Sequence, residues 1–381
     1  MIIEIRGTGT HNKGAELMAH AILQHFQKYT QNHDISFVVQ PNFGTYKARA
    51  KLNLYLKTVP SSTWGRTRLM QGILSSSATY RDIYGIVKEK DIDIILDASG
   101  FAYSDQWGPE PAEQLVRQIR NRRDGTKKKI ILLPQAFGPF TNRRTIKAFK
   151  EIQANVDLIF ARETESFNHI KSIDCPMERV KIAPDFTNLV SAVIPPYWNS
   201  SSQHALLIPN LRMLDKSTSF EKSHYISFLC TCIHEATNRG LAPALLLHSP
   251  EDRKILQKLQ TNGTDLDVII EEDPLYIKGI IGTASCVIAS RFHALVSALS
   301  QGIPAIGTGW SHKYKCLFVD YQCPELLLST QSPLTDIKKA FDSFTEPHLR
   351  QNLINRISSN SEKVKTSAIE MWEDIDAILN L

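Results

Sequence analysis

The feature that most constrains this chain is a repeated rhythm of short apolar runs separated by longer amphipathic stretches. One series holds Ile2–Ile5, Ser36–Val39, Asp93–Leu96, Lys129–Leu133, Asp157–Phe160 and Val180–Ile182. A second holds Ala205–Ile208, Ala244–Leu247, Asp267–Ile270, Cys286–Ala289 and Pro304–Ile306. Apolar strands alternating with helices imply parallel sheets covered on both faces, an α/β chain. The rhythm breaks at SAVIPPYWNSSSQ, Ser191–Gln203, whose Pro-Pro pair and serine run read as a linker. The expected domains are therefore two doubly wound halves, 1–190 and 204–346, facing each other across a cleft. A helical tail, 347–381, is expected to pack back on the first half. Lys47–Tyr80 shows no clear period and is read as a partly irregular insertion. The length of 381 residues fits two cores better than one.

Composition excludes several classes. With 42% hydrophobic and 22% charged residues, the chain is neither disordered nor low-complexity. No apolar run reaches the roughly 20 residues needed to cross a bilayer. The opening MIIEIRGTGT reads as a strand rather than a secretion signal, so a cytoplasmic location is expected, at most peripheral to the inner face of a membrane. A net charge of +5 is mild, and its clusters (Thr126–Ile130, Arg122-Arg123, Arg143-Arg144) are too short for a nucleic-acid stripe. They suit anionic small molecules, an acidic membrane surface, or simply solvated helix ends. The six cysteines form no C-x-x-C pair, and Cys230 and Cys232 would lie about 200° apart on a helix, so reduced thiols are expected and no metal site.

Ligands of such sheets sit beyond the carboxyl ends of strands, and five post-strand loops are chemically dense. The first, RGTGTHNKGAE, offers Gly7, Gly9 and Gly14, with Asn12 placed to cap a helix and attract an anion to its start. It matches neither a dinucleotide fingerprint nor a P-loop, and a tight turn without ligand is the alternative. The second, LDASGFAYSDQWG, crowds Tyr103, Asp105 and Trp107 together, as sugar sites do; an ordinary polar loop would look the same. The third ends a strand in Pro134-Gln135 and turns at Gly138-Pro139. The fourth delivers Arg162, set to fork onto a phosphate or carboxylate or else to pair with Glu163 or Glu165.

The fifth is the most informative: SCVIASRFHALVSALSQGIPAIGTGWSHK. Ser290 reads as an N-cap. Phe292, Leu295, Val296 and Leu299 form a core stripe that leaves His293, Ser297, Ser300 and Gln301 off it. His293 then stands in the first helical turn, two residues after Arg291, where a catalytic and a structural histidine are both reasonable. The next strand leads to Ser311, His312 and Lys313.

In order, these loops resemble the polysaccharide pyruvyl transferase family. The resemblance runs from Gly7 to about Lys315 and is strongest in Arg291-Phe292-His293-Ala294 with the following Gly-Ile-Pro and Lys313. Asn12, Gly14 and Glu16 support it, as do the Pro134-Gln135 to Gly138-Pro139 turn and Arg162, Glu163 and Ser166. Ala15 and Ala98-Ser99 depart from the family pattern. The resemblance implies two Rossmann-like domains of GT-B type. It further implies transfer of pyruvate from phosphoenolpyruvate, a co-substrate, to a sugar as a ketal, with no cofactor. The acceptor would be a saccharide, lipid-linked or not. His293 and Asp105 would be catalytic. Arg291, Arg162, Lys313 and Ser290 would bind the donor, and Asn12, Glu16, Tyr103, Trp107 and Gln135 the acceptor. A nucleotide-sugar glycosyltransferase, a sugar-nucleotide epimerase and a non-catalytic saccharide binder are the alternatives.

Overall fold

The computed structural model describes residues 1–58, 83–120, 128–215, 219–309 and 311–381. They divide into two compact units. The first comprises Met1–His11, Met18–Pro184 and Met371–Leu381; the second comprises Asn12–Leu17 and Asp185–Glu370. The change of unit thus falls at Asp185, ahead of Ser191–Gln203. Of the tail, 347–370 belongs to the second unit and Met371–Leu381 to the first. Most of the Lys47–Tyr80 segment, Arg122-Arg123, Thr126-Lys127 and Trp310 lie outside the described residues.

The first unit carries strands β1 (Ile2–Arg6), β2 (Ser36–Val39), β3 (Leu54–Lys57), β4 (Ile86–Val87), β5 (Ile94–Asp97), β6 (Lys129–Gln135), β7 (Leu158–Ala161) and β8 (Val180–Ile182). All pair in parallel, in the order β4-β3-β2-β1-β5-β6-β7-β8. Two of these, β3 and β4, are not among the expected strands. The alternation in LNLYLK lies inside the segment read as irregular, and β4 has only two residues. The helix Lys13–Gln27 buries Leu17, Met18, Ala21, Ile22 and Phe26, the stripe its 3.6-residue period dictates. Residues of β1 and β3 form a buried ion pair: Lys57 Nζ donates to Glu4 Oε2 at 2.7 Å, and Gln40 takes up Glu4 Oε1. The end of the chain is fastened by Trp372, stacked on His25, and by Asp376, which accepts from Tyr29 Oη at 2.6 Å and approaches His25 Nε2 at 2.8 Å.

The second unit has β9 (His204–Ile208), β10 (Ala242–Leu247), β11 (Asp267–Ile270), β12 (Cys286–Ala289) and β13 (Ala305–Gly307). They are parallel in the order β11-β10-β9-β12-β13. The helix Phe292–Leu299 is buried on nearly every side: Ser297 and Ser300, expected off the core, are buried with Ala294 and Ala298. Small side chains let it sink between its neighbours, so the apolar stripe alone underestimates its burial. All six cysteines are free, and burial pushes the Cys286 thiol up to about 12. Among the described residues no helix is long and apolar enough to cross a membrane.

Candidate functional site

In each sheet the strand order reverses direction once, between β1 and β5 and between β9 and β12. Loops diverge at such switch points and leave room for a ligand.

At the first switch point the room is taken by the protein itself. Arg6 ends β1 directly opposite Asp97 at the end of β5, and their side chains pair at 3.1 Å. Tyr103 Oη donates to Asp97 Oδ2 at 2.6 Å, and the Ser99 amide donates to Oδ1 at 3.0 Å. Gly7, at φ +79°, lies so close to Ser99 that any side chain there would collide. Burial, with the Asp97 charge adding to it, raises the Tyr103 phenol well above its ordinary value.

This packing corrects several expectations for the acceptor side. Tyr103 is a core residue stacked on Phe137, not a surface for a sugar. Gln135 is fully buried, its Nε2 directed at the Asp97 carbonyl. Asp105, expected to be catalytic, instead pins the turn before the helix Arg143–Asn155. It accepts from the amide and hydroxyl of Thr141 and the amide of Asn142. Those hydrogen bonds outweigh its partial burial and lower its carboxyl, which makes it a poor base. Trp107 remains 41% exposed. Arg162 is buried in this unit and donates to the Gly100 carbonyl at 3.3 Å. Its neighbour Glu163 caps the following helix through the Ser166 amide.

The second unit gathers Arg291, His293, Ser290, Lys313, Asn12 and Glu16. Three loops of adjacent strands are laced together. Asn210, after β9, donates to the Ser290 carbonyl at 3.1 Å, and Tyr225 Oη meets both the Asn210 amide and Ser290 Oγ. Tyr314 Oη donates to the same Ser290 carbonyl at 3.0 Å. Ser290 is therefore buried scaffolding rather than a ligand contact, and Arg291, not Ser290, occupies the N-cap position. Arg291 Nη2 grips both oxygens of Asp252 at 2.7 and 2.6 Å, and Nε points to the Pro209 carbonyl. Asp252 also accepts from the Leu211 amide.

His293 stands in the first turn of the helix Phe292–Leu299, beside a second carboxylate. Its Nε2 lies 3.4 Å from Asp185 Oδ2, makes no hydrogen bond, and is sealed from water. Asp185 is oriented by Thr187, whose amide donates to Oδ1 at 3.0 Å. The other edge of the imidazole fits against Gly14, where a Cβ would strike the ring. Asn12, expected at the acceptor, spends its Oδ1 capping the Gly14 amide, and Lys13 pairs with Glu16 at 2.9 Å. Lys313 Nζ stands 5.1 Å from the centre of the Phe292 ring, near the same helix start.

Behind Asp185 sits Lys278, 1% exposed, donating to the Thr187 carbonyl at 2.7 Å. Burial lowers its ammonium from 10.5 to about 7; Asp185 opposes that shift and Lys365 adds to it. A lysine whose folded value lies below its unfolded one binds fewer protons when folded, so its contribution to stability grows as pH rises from about 7 toward 10.5. Lys278→Met is expected to flatten the rise of melting temperature between pH 7 and pH 9. An unchanged pH slope in the variant would remove the buried lysine from this account.

Asp185, Asp252, His248 and Lys278 escape the sequence reading. Asp185 carried a faint signal, a carboxylate soon after the short strand β8 and two residues before a threonine. Asp252 and His248 follow β10 in HSPED, a loop that has no glycine or arginine to draw attention.

Two parallel Rossmann-like sheets, each with a switch point lined by polar loops, define the GT-B class of α/β transferases and epimerases. The chain is similar in fold to UDP-GlcNAc 2-epimerase from Neisseria meningitidis bound to UDP-GlcNAc (11% identity, TM-score 0.59, 98% of this chain and 99% of that one). It is likewise similar to the S. aureus MnaA–UDP structure (12%, 0.60, 100% and 97%). A third is Anabaena Alr3699/HepE in complex with UDP and glucose (9%, 0.58, 98% and 99%). The polysaccharide pyruvyl transferase family model matches residues 12–312. The chain belongs to that family, and it is a transferase.

Proposed function

We propose that the protein transfers pyruvate from phosphoenolpyruvate to two hydroxyls of one sugar, in the building of a cell-surface polysaccharide. The observation that carries this reading is the His293 imidazole. It is held between Asp185 and Gly14 and has a buried, unbonded Nε2, two residues from an arginine fixed by Asp252.

The chemistry asks for such a group. Phosphoenolpyruvate must gain a proton at its methylene carbon while a sugar hydroxyl attacks the adjacent carbon; a second hydroxyl then closes the ketal as phosphate departs. His293 supplies the proton, and Asp185 orients the ring and balances the charge it carries when protonated. Arg291 and Lys313 hold the donor's phosphate and carboxylate. With Asp105 committed to its turn, Glu16 is left to orient the hydroxyl. A cytoplasmic setting, where the six thiols stay reduced, belongs to the same reading.

Incubation with phosphoenolpyruvate and galactose- or mannose-type acceptors is expected to yield a pyruvate ketal and an equal amount of phosphate. A second reading, chemistry on a nucleotide sugar, is favoured by the UDP ligands of the fold relatives. Release of UDP from a nucleotide sugar, with no ketal formed, would replace the first reading by the second.

A further inference from the structure

Three neighbouring strands of the second unit, β10, β9 and β12, end side by side. β9 is followed by Asn210, β12 by Ser290 and Arg291, and β10 by His248 and, four residues on, Asp252. Asp252 ties this corner together by accepting from Arg291 and from the Leu211 amide. Asn210, Tyr225, Ser290 and Asp252 all have hydrogen-bond partners. His248 does not share this satisfaction. It is 5% exposed, and its Nδ1 is sealed from water with no hydrogen bond. A buried polar atom left without a partner is costly, and its retention calls for a partner that arrives from outside the chain.

We propose that His248 is a further ligand-binding residue of this site, its Nδ1 meeting a phosphate or carboxylate oxygen of the ligand beside Arg291 and His293. The proposal rests on the donor reading given above and adds a residue and a proton to it. The charged and titratable groups acting on His248 are Arg291 at the end of β12, His293 on the helix that follows, and Lys13 in the first turn of the helix Lys13–Gln27. Asp252, in its own loop, faces Arg291. Burial holds the free imidazole well below its ordinary value; Arg291, His293 and Lys13 push the same way, and its own backbone opposes them more weakly. An arriving anion cancels their push. The ring then takes a proton from the buffer and becomes a charge-assisted donor to that anion.

The test is calorimetry with phosphoenolpyruvate at pH 7, in buffers of low and high ionisation enthalpy, with UDP as a parallel probe. Wild-type binding is expected to show net proton uptake. His248→Gln, which keeps hydrogen-bonding groups but cannot titrate there, should lose much of that uptake. His248→Leu should weaken binding about tenfold or more. Wild-type affinity together with wild-type uptake in His248→Gln overturns the proposal. If UDP but not phosphoenolpyruvate binds with His248-dependent uptake, the residue's role stands and the pyruvate-donor reading falls; if neither binds, both fall. A wild-type measurement guards against variants that fail to fold. The nitrogen resonances of the buried imidazole that stays neutral in the free protein should move to the imidazolium position on saturation with either ligand, and immobility with both counts against the proposal.

Discussion

Replacing Arg291 by alanine is expected to unfold much of the protein's second unit before any assay of donor affinity becomes meaningful. Asp252 is fully buried, and Arg291 is the cation that grips both its oxygens. Removing one partner of a buried pair costs about 3–5 kcal/mol, because the remaining charge has neither water nor counter-ion. Burial already pushes the Asp252 carboxyl up, and Arg291 opposes that push. Without the guanidinium the carboxyl rises further, so the variant gains stability relative to wild type as pH falls and loses it as pH rises past the new value. Adding Asp252→Asn should recover a large part of the loss, which urea melts of the two single variants and the double variant would measure. A variant that melts like wild type and loses only donor affinity would make Arg291 a ligand anchor without a structural share.

The second large effect is kinetic. His293→Ala should reduce turnover by about 10²–10⁴ if the imidazole is the general acid, with a smaller loss of donor affinity. Asp185→Asn should fall between wild type and His293→Ala, since it disturbs the ring's orientation without removing it. The ring is more enclosed than its position off the apolar stripe implies, so some stability will go with it. Melting temperature and turnover must therefore be read from one preparation. A clear fall in melting with turnover per folded molecule preserved would identify His293 as structural.

The parallel sheets were legible in the sequence because each is a run of four or five apolar residues followed by a turn and a helix. β3 and β4 were not: β3 is a short LYLK run with its two middle residues only half-buried, and β4 has only two residues. The functional loops were also legible as places: all five follow strands. What the sequence could not convey was which polar side chains those loops turn inward. Tyr103, Asp105, Asn12 and Ser290 have the chemistry of a sugar or phosphate site, yet each is consumed by a neighbour's backbone, carboxylate or hydroxyl. Conversely, Asp185 and Asp252 gain meaning only from partners more than thirty residues distant in the chain. Local pattern reports periodicity well and long-range pairing hardly at all.

The fit of the His293 ring against the bare α-carbon of Gly14 makes two distant positions share one volume. What either may hold is decided by what the other holds. Substitution at position 14 is then a statement about the imidazole as much as about the helix start: a methyl group there must turn the ring away from Asp185 or be accompanied by a smaller residue at 293. Within this chain the opening loop and the Arg-Phe-His-Ala segment are a single steric lock, and neither half can drift in sequence alone.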